Sequence, residues 1–167
     1  SVEFAKAKLR LSYLEKLPWN SMPFQPVDIE KARKTLDEAH YGMEQVKEEI
    51  IEHIYAMNKL GRVSNEIILL LGPPGTGKTS VARQIARALG REFYKITLGG
   101  LSDDVFLKGC ARQYGGAKPG TIVDILFRAG HKNILILLDE VDKLGTRNGV
   151  QEGAAALLDA LDHDQAF

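Results

Sequence analysis

The chain has 167 residues, of which 44% are hydrophobic and 26% are charged, as expected for one globular domain with a sizeable core. Acidic and basic residues balance at 22 each, which excludes a strong overall field toward nucleic acid or an anionic membrane. No apolar run approaches the length of a membrane span, and the single cysteine, Cys110, excludes an internal disulfide.

The first predicted element is a helix over residues 1–19, which must end close to Pro18 because a proline disfavours the helical conformation before it. Its apolar face carries three leucines: Leu11, Leu14 and Leu17. The proline-rich residues 19–26 predict an extended linker. We expect Trp19 to anchor this linker on the core, with a ligand contact as the alternative.

Two core-packing helices follow the linker. Asp28 is placed to cap the first of them, which runs to about His40. The second runs from Glu44 to about Leu60. Their inward positions recur at helical spacing: Ile29, Ala32 and Leu36 in the first, and Val46, Ile50, Ile54 and Met57 in the second.

The central stretch is a glycine-rich loop over residues 72–79, GPPGTGKT, between an apolar run at 67–71 and a further helix. Strand, loop and helix in this order are typical of a phosphate-binding loop, which disfavours a chance match. Backbone N–H groups and the helix N-terminus suit phosphate oxygens, and glycine permits their close approach. We expect Lys78 to reach the β- and γ-phosphates of a nucleotide, and Thr79 to hold Mg²⁺.

Beyond the loop, the predicted helix buries residues four apart and ends at Gly90. Its inward residues are Val81, Ile85 and Leu89. A strand is predicted over residues 92–98, and a short helix after it that Ser102 caps. Residues 113–120 predict an exposed loop with one aromatic residue, and Thr121 is placed to cap the helix that follows.

The apolar run at 133–138 ends in two acids, Asp139 and Glu140, as in a central strand of a parallel sheet. Because ligands bind beyond the carboxyl ends of such strands, we expect Asp139 and the glycine loop at one edge. Asp139 is placed to bind Mg²⁺, and Glu140 to orient or deprotonate a water aimed at the γ-phosphate. The alternative is a solvated acidic turn. Together these patterns predict a P-loop nucleoside triphosphatase with an α/β fold.

Several segments, in their order along the chain, resemble the ATP-dependent Lon proteases, a family of AAA+ ATPases. They comprise residues 13–19, 40–47, 72–79, 117–120 and 138–143, and the match continues at 157–162 and 165–167. The resemblance implies a P-loop AAA+ large subdomain over residues 28–167, with a parallel sheet flanked by helices. An N-terminal helix and linker over residues 1–27 would precede it, and a last helix is predicted over 151–161.

The resemblance further implies a homohexameric ring that uses ATP and Mg²⁺ to unfold damaged polypeptides and thread them into a serine peptidase chamber. It implies a cytoplasmic location, with the mitochondrial matrix as the alternative. The balanced charge disfavours nucleic acid as the main partner, and the lack of a long apolar run disfavours a membrane. Implied nucleotide contacts are Tyr41, Gly42 and Met43 near adenine, and Pro73, Pro74, Gly75, Thr76, Gly77, Lys78, Thr79 and Ser80 at the phosphates. Thr79 and Asp139 would bind the metal, Glu140 and Lys78 would be catalytic, and Tyr114 would grip substrate in the pore.

Three features depart from the family pattern. Gly115 follows the pore aromatic where a bulky aliphatic is usual, and the preceding basic stretch is reduced to residues 110–112. The sensors, arginine finger, helical lid and Ser-Lys peptidase pair would lie after Phe167. We therefore expect no peptidase activity and poor ATP turnover from these residues alone. Two alternatives stay open: a AAA+ remodelling or DNA-associated motor without a peptidase, and a binding module that no longer hydrolyses ATP.

Overall fold

The computed structural model of the chain describes residues 2–20, 23–39, 43–62, 67–98 and 119–143. The elements along these ranges are helices α1 (Val2–Lys16), α2 (Ile29–Ala39), α3 (Glu44–Leu60), α4 (Lys78–Ala88) and α5 (Thr121–Ala129), strands β1 (Glu92–Thr97) and β2 (Ile134–Asp139), and a 3₁₀ turn (Val141–Lys143). None of the described helices is both long and apolar enough to cross a membrane.

The chain divides into two compact units. The first unit comprises residues 23–95 and 133–137, and the second comprises residues 1–22, 96–132 and 138–167. The predictions at Ser102, at 113–118 and at 151–161 lie outside the described residues.

Three helices build the core of the first unit. Their buried side chains are Ala32 and Leu36 from α2, Ile50, Ile51, Ile54 and Met57 from α3, and Val81, Ile85 and Ala88 from α4, together with Leu89 directly after α4. Burying a side chain such as Ile54 contributes about 1.5–3 kcal/mol through apolar area removed from water. The inward positions predicted from helical spacing are therefore confirmed, with Ile29 and Val46 packed at the margin of this core.

The ends of these helices follow from local side-chain and backbone chemistry. The Asp28 carboxylate accepts a hydrogen bond from the Lys31 N–H at 3.0 Å, which confirms the predicted cap of α2. Gly61 ends α3 with φ of 62°, and Gly90 follows α4 with φ of 64°. Both glycines hold left-handed backbone, where other residues are strained.

Asn58 on α3 holds the linker against the first unit. Its side-chain amide accepts a hydrogen bond from the Val27 N–H at 2.8 Å and donates to the Val27 carbonyl at 2.8 Å. The amide therefore pairs with Val27 much as a neighbouring peptide group in a sheet would. Phe24 packs against the core on the same stretch, so the extended linker is tied down at two points.

Strands β1 and β2 form a two-stranded sheet. The Leu98 N–H, just after β1, donates to the Asp139 carbonyl at the end of β2 at 2.8 Å. Because the carboxyl ends of both strands meet there, the strands run parallel, as predicted. Every residue of β2 is half-buried.

The prediction of a strand before the glycine loop is wrong, because the apolar run at 67–71 forms no strand. Ile67, Leu69 and Leu71 are 59%, 71% and 84% exposed, and only Leu70 packs against the core. A strand forms where another strand satisfies its backbone hydrogen bonds. Within the described residues the sheet consists of β1 and β2, so the glycine loop is entered from irregular backbone.

In the second unit, α1 packs on α5 through Tyr13. The Tyr13 hydroxyl donates to Asp124 Oδ1 at 2.9 Å, and its ring lies 4.2 Å from the Phe127 ring, centroid to centroid. Burial and the hydrogen bond to Asp124 hold the pKa of Tyr13 above its ordinary value. Thr121 is the first helical residue of α5 and Gly120 occupies the cap position, so the predicted Thr121 cap is wrong by one residue.

The prediction that Trp19 anchors the linker on the core is wrong. The Trp19 side chain is 63% exposed, and the indole N–H donates to the Leu14 carbonyl at 2.6 Å. The last carbonyls of a helix lack intrahelical donors, so Trp19 satisfies the end of α1 in place of anchoring the linker on the core. Leu11 and Leu14, on the predicted apolar face of α1, are 55% and 59% exposed.

We expect Asn58→Ala to lower the free energy of unfolding by about 1–3 kcal/mol, because both polar groups of Val27 lose their partner. Asn58→Asp keeps the acceptor and loses the donor, so its effect should lie between alanine and the parent. Urea denaturation followed by circular dichroism measures both. Equal stability of Asn58→Ala and the parent would contradict this role of Asn58.

We expect the hydrogen bond between Tyr13 and Asp124 to stop stabilising the fold at alkaline pH. Ionisation removes the donated proton and places two negative charges together, so the stabilisation is present below about pH 10 and is lost as the pH rises through the elevated pKa. Between pH 8 and pH 11 the urea midpoint of the parent should fall further than that of Tyr13→Phe. Tyr55→Phe, at an exposed position on α3, is the matched control and should behave as the parent.

Candidate functional site

The glycine loop is shaped by two residues in left-handed backbone. Gly75 has φ of 79° and Gly77 has φ of 82°, which side-chain-bearing residues rarely adopt. Gly72 is constrained differently, because a Cβ there would lie 3.2 Å from Thr76 Oγ1. The backbone path therefore favours glycine at positions 75 and 77, and a side chain at position 72 would crowd Thr76.

Side chains within the loop bond back to its carbonyl groups. Thr76 Oγ1 donates to the Pro73 carbonyl at 2.8 Å. Lys78 Nζ donates to the carbonyls of Gly72 at 2.7 Å and of Pro73 at 2.8 Å. Since these oxygens are neutral, they hold the ammonium at the loop without cancelling its charge.

The loop ends at the N-terminus of α4. Gly77 occupies the cap position without a side-chain hydrogen bond, and the first turn of α4 carries no acidic residue. The Val81 N–H bonds to the Gly77 carbonyl at 2.9 Å, so the N–H groups of Lys78, Thr79 and Ser80 precede the first intrahelical bond. Uncapped N–H groups and the positive end of the helix dipole favour an anion at this place.

The acidic pair follows β2 in the second unit. Asp139 Oδ1 accepts a hydrogen bond from the Glu140 N–H at 3.0 Å, and the Asp139 main chain stays in the sheet. Glu140 has φ of 61°, a left-handed conformation that costs a non-glycine residue about 1–3 kcal/mol. The Asp139 bond therefore helps to hold Glu140 in a strained backbone position.

Lys143 fixes the side chain of Glu140. The Lys143 ammonium, on the 3₁₀ turn after β2, donates to Glu140 Oε1 at 2.5 Å. This hydrogen bond raises the pKa of Lys143. This pair was not predicted from the sequence, although the spacing of three residues is a signal for such contacts in helical turns.

The residues of the loop and the helix end fit a triphosphate, because they supply backbone N–H groups, an ammonium and a hydroxyl. Magnesium in such sites takes one or two protein ligands and completes its shell with phosphate and water. The Thr79 hydroxyl and the Asp139 carboxylate are ligand types of this kind. No group of three or more metal-ligating side chains occurs in the part of the chain that the structure describes.

The predicted site residues are distributed over both units. The loop belongs to the first unit, whereas Asp139 and Glu140 belong to the second, so a shared ligand stays a prediction. Met43 precedes α3 with φ of 58° and is 42% exposed. Tyr41, Gly42 and Tyr114, predicted near adenine and in the pore, lie outside the described residues.

Sequence reasoning also missed Lys47, on the inward face of α3. Its ammonium donates to Asp37 Oδ1 at 3.1 Å and to Glu44 Oε1 at 3.2 Å. Burial lowers the pKa of Lys47, but the two carboxylates raise it by more than burial lowers it. The net pKa therefore lies above the ordinary value. A lysine among apolar positions, between Val46 and Ile50, was the available signal.

Comparison with known proteins identifies the family. Residues 68–166 match the model of the ATPase family associated with various cellular activities (AAA), and residues 25–107 match the PrkA AAA domain. The chain is 44% identical to a Lon protease of Clostridium beijerinckii, over 99% of this chain and 21% of that protein. It is 47% identical to a mitochondrial Lon protease homolog of Phaeodactylum tricornutum, over 99% of this chain and 19% of that protein.

A mitochondrial Lon protease homolog of Zea mays is 46% identical, over 99% of this chain and 17% of that protein. The chain thus spans about a fifth of the length of the curated relatives it matches. Because the AAA model covers more than half of its residues, the chain belongs to the AAA family of ATPases, and its similarity places it with the AAA portion of the Lon proteases.

Proposed function

We propose that the chain is the ATP-binding and ATP-hydrolysing portion of a Lon-type, ATP-dependent serine protease. The observation that carries the proposal is the charged, uncapped loop and helix end at residues 72–80, in a chain similar to Lon proteases over nearly its whole length. The complete protein would unfold damaged polypeptides and thread them into a peptidase chamber. The alternative is a AAA motor without a peptidase. In that case the full-length protein would not degrade casein.

The phosphate chain is the part of the nucleotide for which the first unit is best suited. Residues 73–80 would surround it, with backbone N–H groups toward the phosphate oxygens. Lys78 would exchange its two loop carbonyls for phosphate oxygens, because negatively charged oxygens attract the ammonium more strongly than neutral carbonyls do. Residues 28–167 would form the nucleotide-binding subdomain, preceded by the helix and linker at 1–27.

Hydrolysis would depend on the end of β2. Asp139 and Thr79 are the proposed protein ligands of Mg²⁺, which when bound neutralises charge on the phosphates. Glu140 would orient a water and accept its proton, and its strained backbone and its bond to Lys143 support a fixed orientation. Such preorganisation lowers the reorganisation needed when charge develops.

The remaining roles rest on similarity to Lon proteases. Tyr41, Gly42 and Met43 would lie near the adenine, and Tyr114 would grip the polypeptide by apolar contact that needs no particular sequence. The full-length protein would form a hexameric ring. The bacterial relative and the mitochondrial relatives leave the cytoplasm and the mitochondrial matrix as the two proposed locations.

Lys78→Ala should weaken binding of Mg-ATP to the full-length protein about tenfold to hundredfold, since a hydrogen bond to a charged group contributes about 1.5–3 kcal/mol. Isothermal titration calorimetry measures the dissociation constant. Lys59→Ala removes an exposed lysine in the last turn of α3 and should leave the dissociation constant unchanged. Unaltered affinity of Lys78→Ala would remove Lys78 from the binding site.

Glu140→Gln should reduce the rate of ATP hydrolysis by about 10²–10⁴-fold, the usual contribution of a positioned general base. Binding of Mg-ATP should persist, because the substitution leaves the glycine loop intact. Release of phosphate in a coupled assay gives the rate, and Glu52→Gln on the exposed face of α3 is the matched control. Hydrolysis at the parental rate by Glu140→Gln would exclude Glu140 from the mechanism.

A further inference from the structure

Lys47 is the one buried charged side chain among the described residues, with 8% of its surface exposed. It lies in the first turn of α3, on the side that also buries Ile50 and Ile51. Removing an ammonium from water costs free energy unless it is paired and hydrogen-bonded. The bonds to Asp37 and Glu44 supply that pairing and hold the side chain in one place.

The two carboxylates belong to different helices. Asp37 lies in the last turn of α2, and Glu44 is the first residue of α3. Lys47 therefore joins the end of one helix to the start of the next. The Lys47 main chain also contributes, because its N–H donates to the Met43 carbonyl at 3.0 Å.

Met43 needs such support, because its φ of 58° and ψ of 35° place a side-chain-bearing residue in left-handed backbone. Backbone of this kind persists only where the surroundings hold it, and it occurs often at ligand sites. The side chain of Met43 borders a narrow slot, whose other walls include Leu36, Val46, Val81 and Gln84.

This slot places Met43 next to α4. Val81 and Gln84 stand in the first two turns of α4, whose N-terminus is the end of the glycine loop. A methionine next to the first two turns of α4 offers an adaptable apolar surface of the kind that contacts a flat base. Movement of Met43 would alter that surface without altering the loop itself.

We propose, building on the nucleotide-binding function above, that Lys47 is a positioning residue for the purine base. By joining Asp37 to Glu44 it fixes Met43 beside α4, and it thereby sets the affinity for the base and not for the phosphate chain.

The test compares two ligands that share a triphosphate chain, ATP and inorganic tripolyphosphate, both with Mg²⁺. Tripolyphosphate lacks the adenosine, that is, the base together with the ribose. In the full-length protein, Lys47→Met should weaken ATP binding about tenfold and change tripolyphosphate binding less than about twofold, as measured by calorimetry. A general disturbance of the fold would weaken both ligands alike. Should Lys47→Met fail to fold, Asp37→Asn/Glu44→Gln carries the test, because both carboxylates are more than half exposed.

Lys34→Met is the matched control, since Lys34 on α2 is 79% exposed and pairs with Glu38 along its own helix. It should leave both affinities unchanged. Equal losses for both ligands, or unchanged ATP binding by Lys47→Met, would overturn the role of Lys47 and leave the proposed function standing. Failure of the unsubstituted protein to bind either ligand would overturn the proposed function and this inference together.

Discussion

The buried face of α4 is the constraint on which the candidate site depends. Val81, Ile85 and Leu89 are inserted into the core formed with α2 and α3. Because a close-packed core does not let one helix slide freely, the N-terminus of α4 is fixed at the surface. Burial of the apolar face of α4 therefore fixes the position of its positively polarised N-terminus. The glycine loop is attached to that end.

Charge around this helix end is arranged asymmetrically. The first turn of α4 has no acidic residue, while Arg87 lies in its last turn. A cation near the negative end of the dipole is favourable, whereas the positive end is left to a ligand. Lys78 adds a full charge at the same place and donates to two neutral carbonyls, which attract the ammonium less strongly than a phosphate oxygen does.

The acidic end of β2 shows a different kind of preparation. Glu140 occupies strained backbone between Asp139, which accepts its N–H, and Lys143, which holds its carboxylate. Strain of this kind is tolerated where the surroundings impose it and often accompanies function. Both this carboxylate and Lys47 owe their positions to ion pairs with neighbouring residues, while the loop owes its shape to glycine.

The sequence by itself determined the ends and inward faces of α2, α3 and α4, the glycine loop and the acidic pair, because caps, helical spacing and backbone freedom act over a few residues. It did not determine the cap of α5 or the burial of the apolar face of α1. Nor did it determine the state of residues 67–71 or of Trp19, since strand formation and burial depend on partners elsewhere in the chain. The pairing of Lys47 with Asp37 was likewise decided only by tertiary structure, because it requires two helices to lie side by side. A pattern in sequence can place a charge on a face, but which partner meets it depends on how the helices pack.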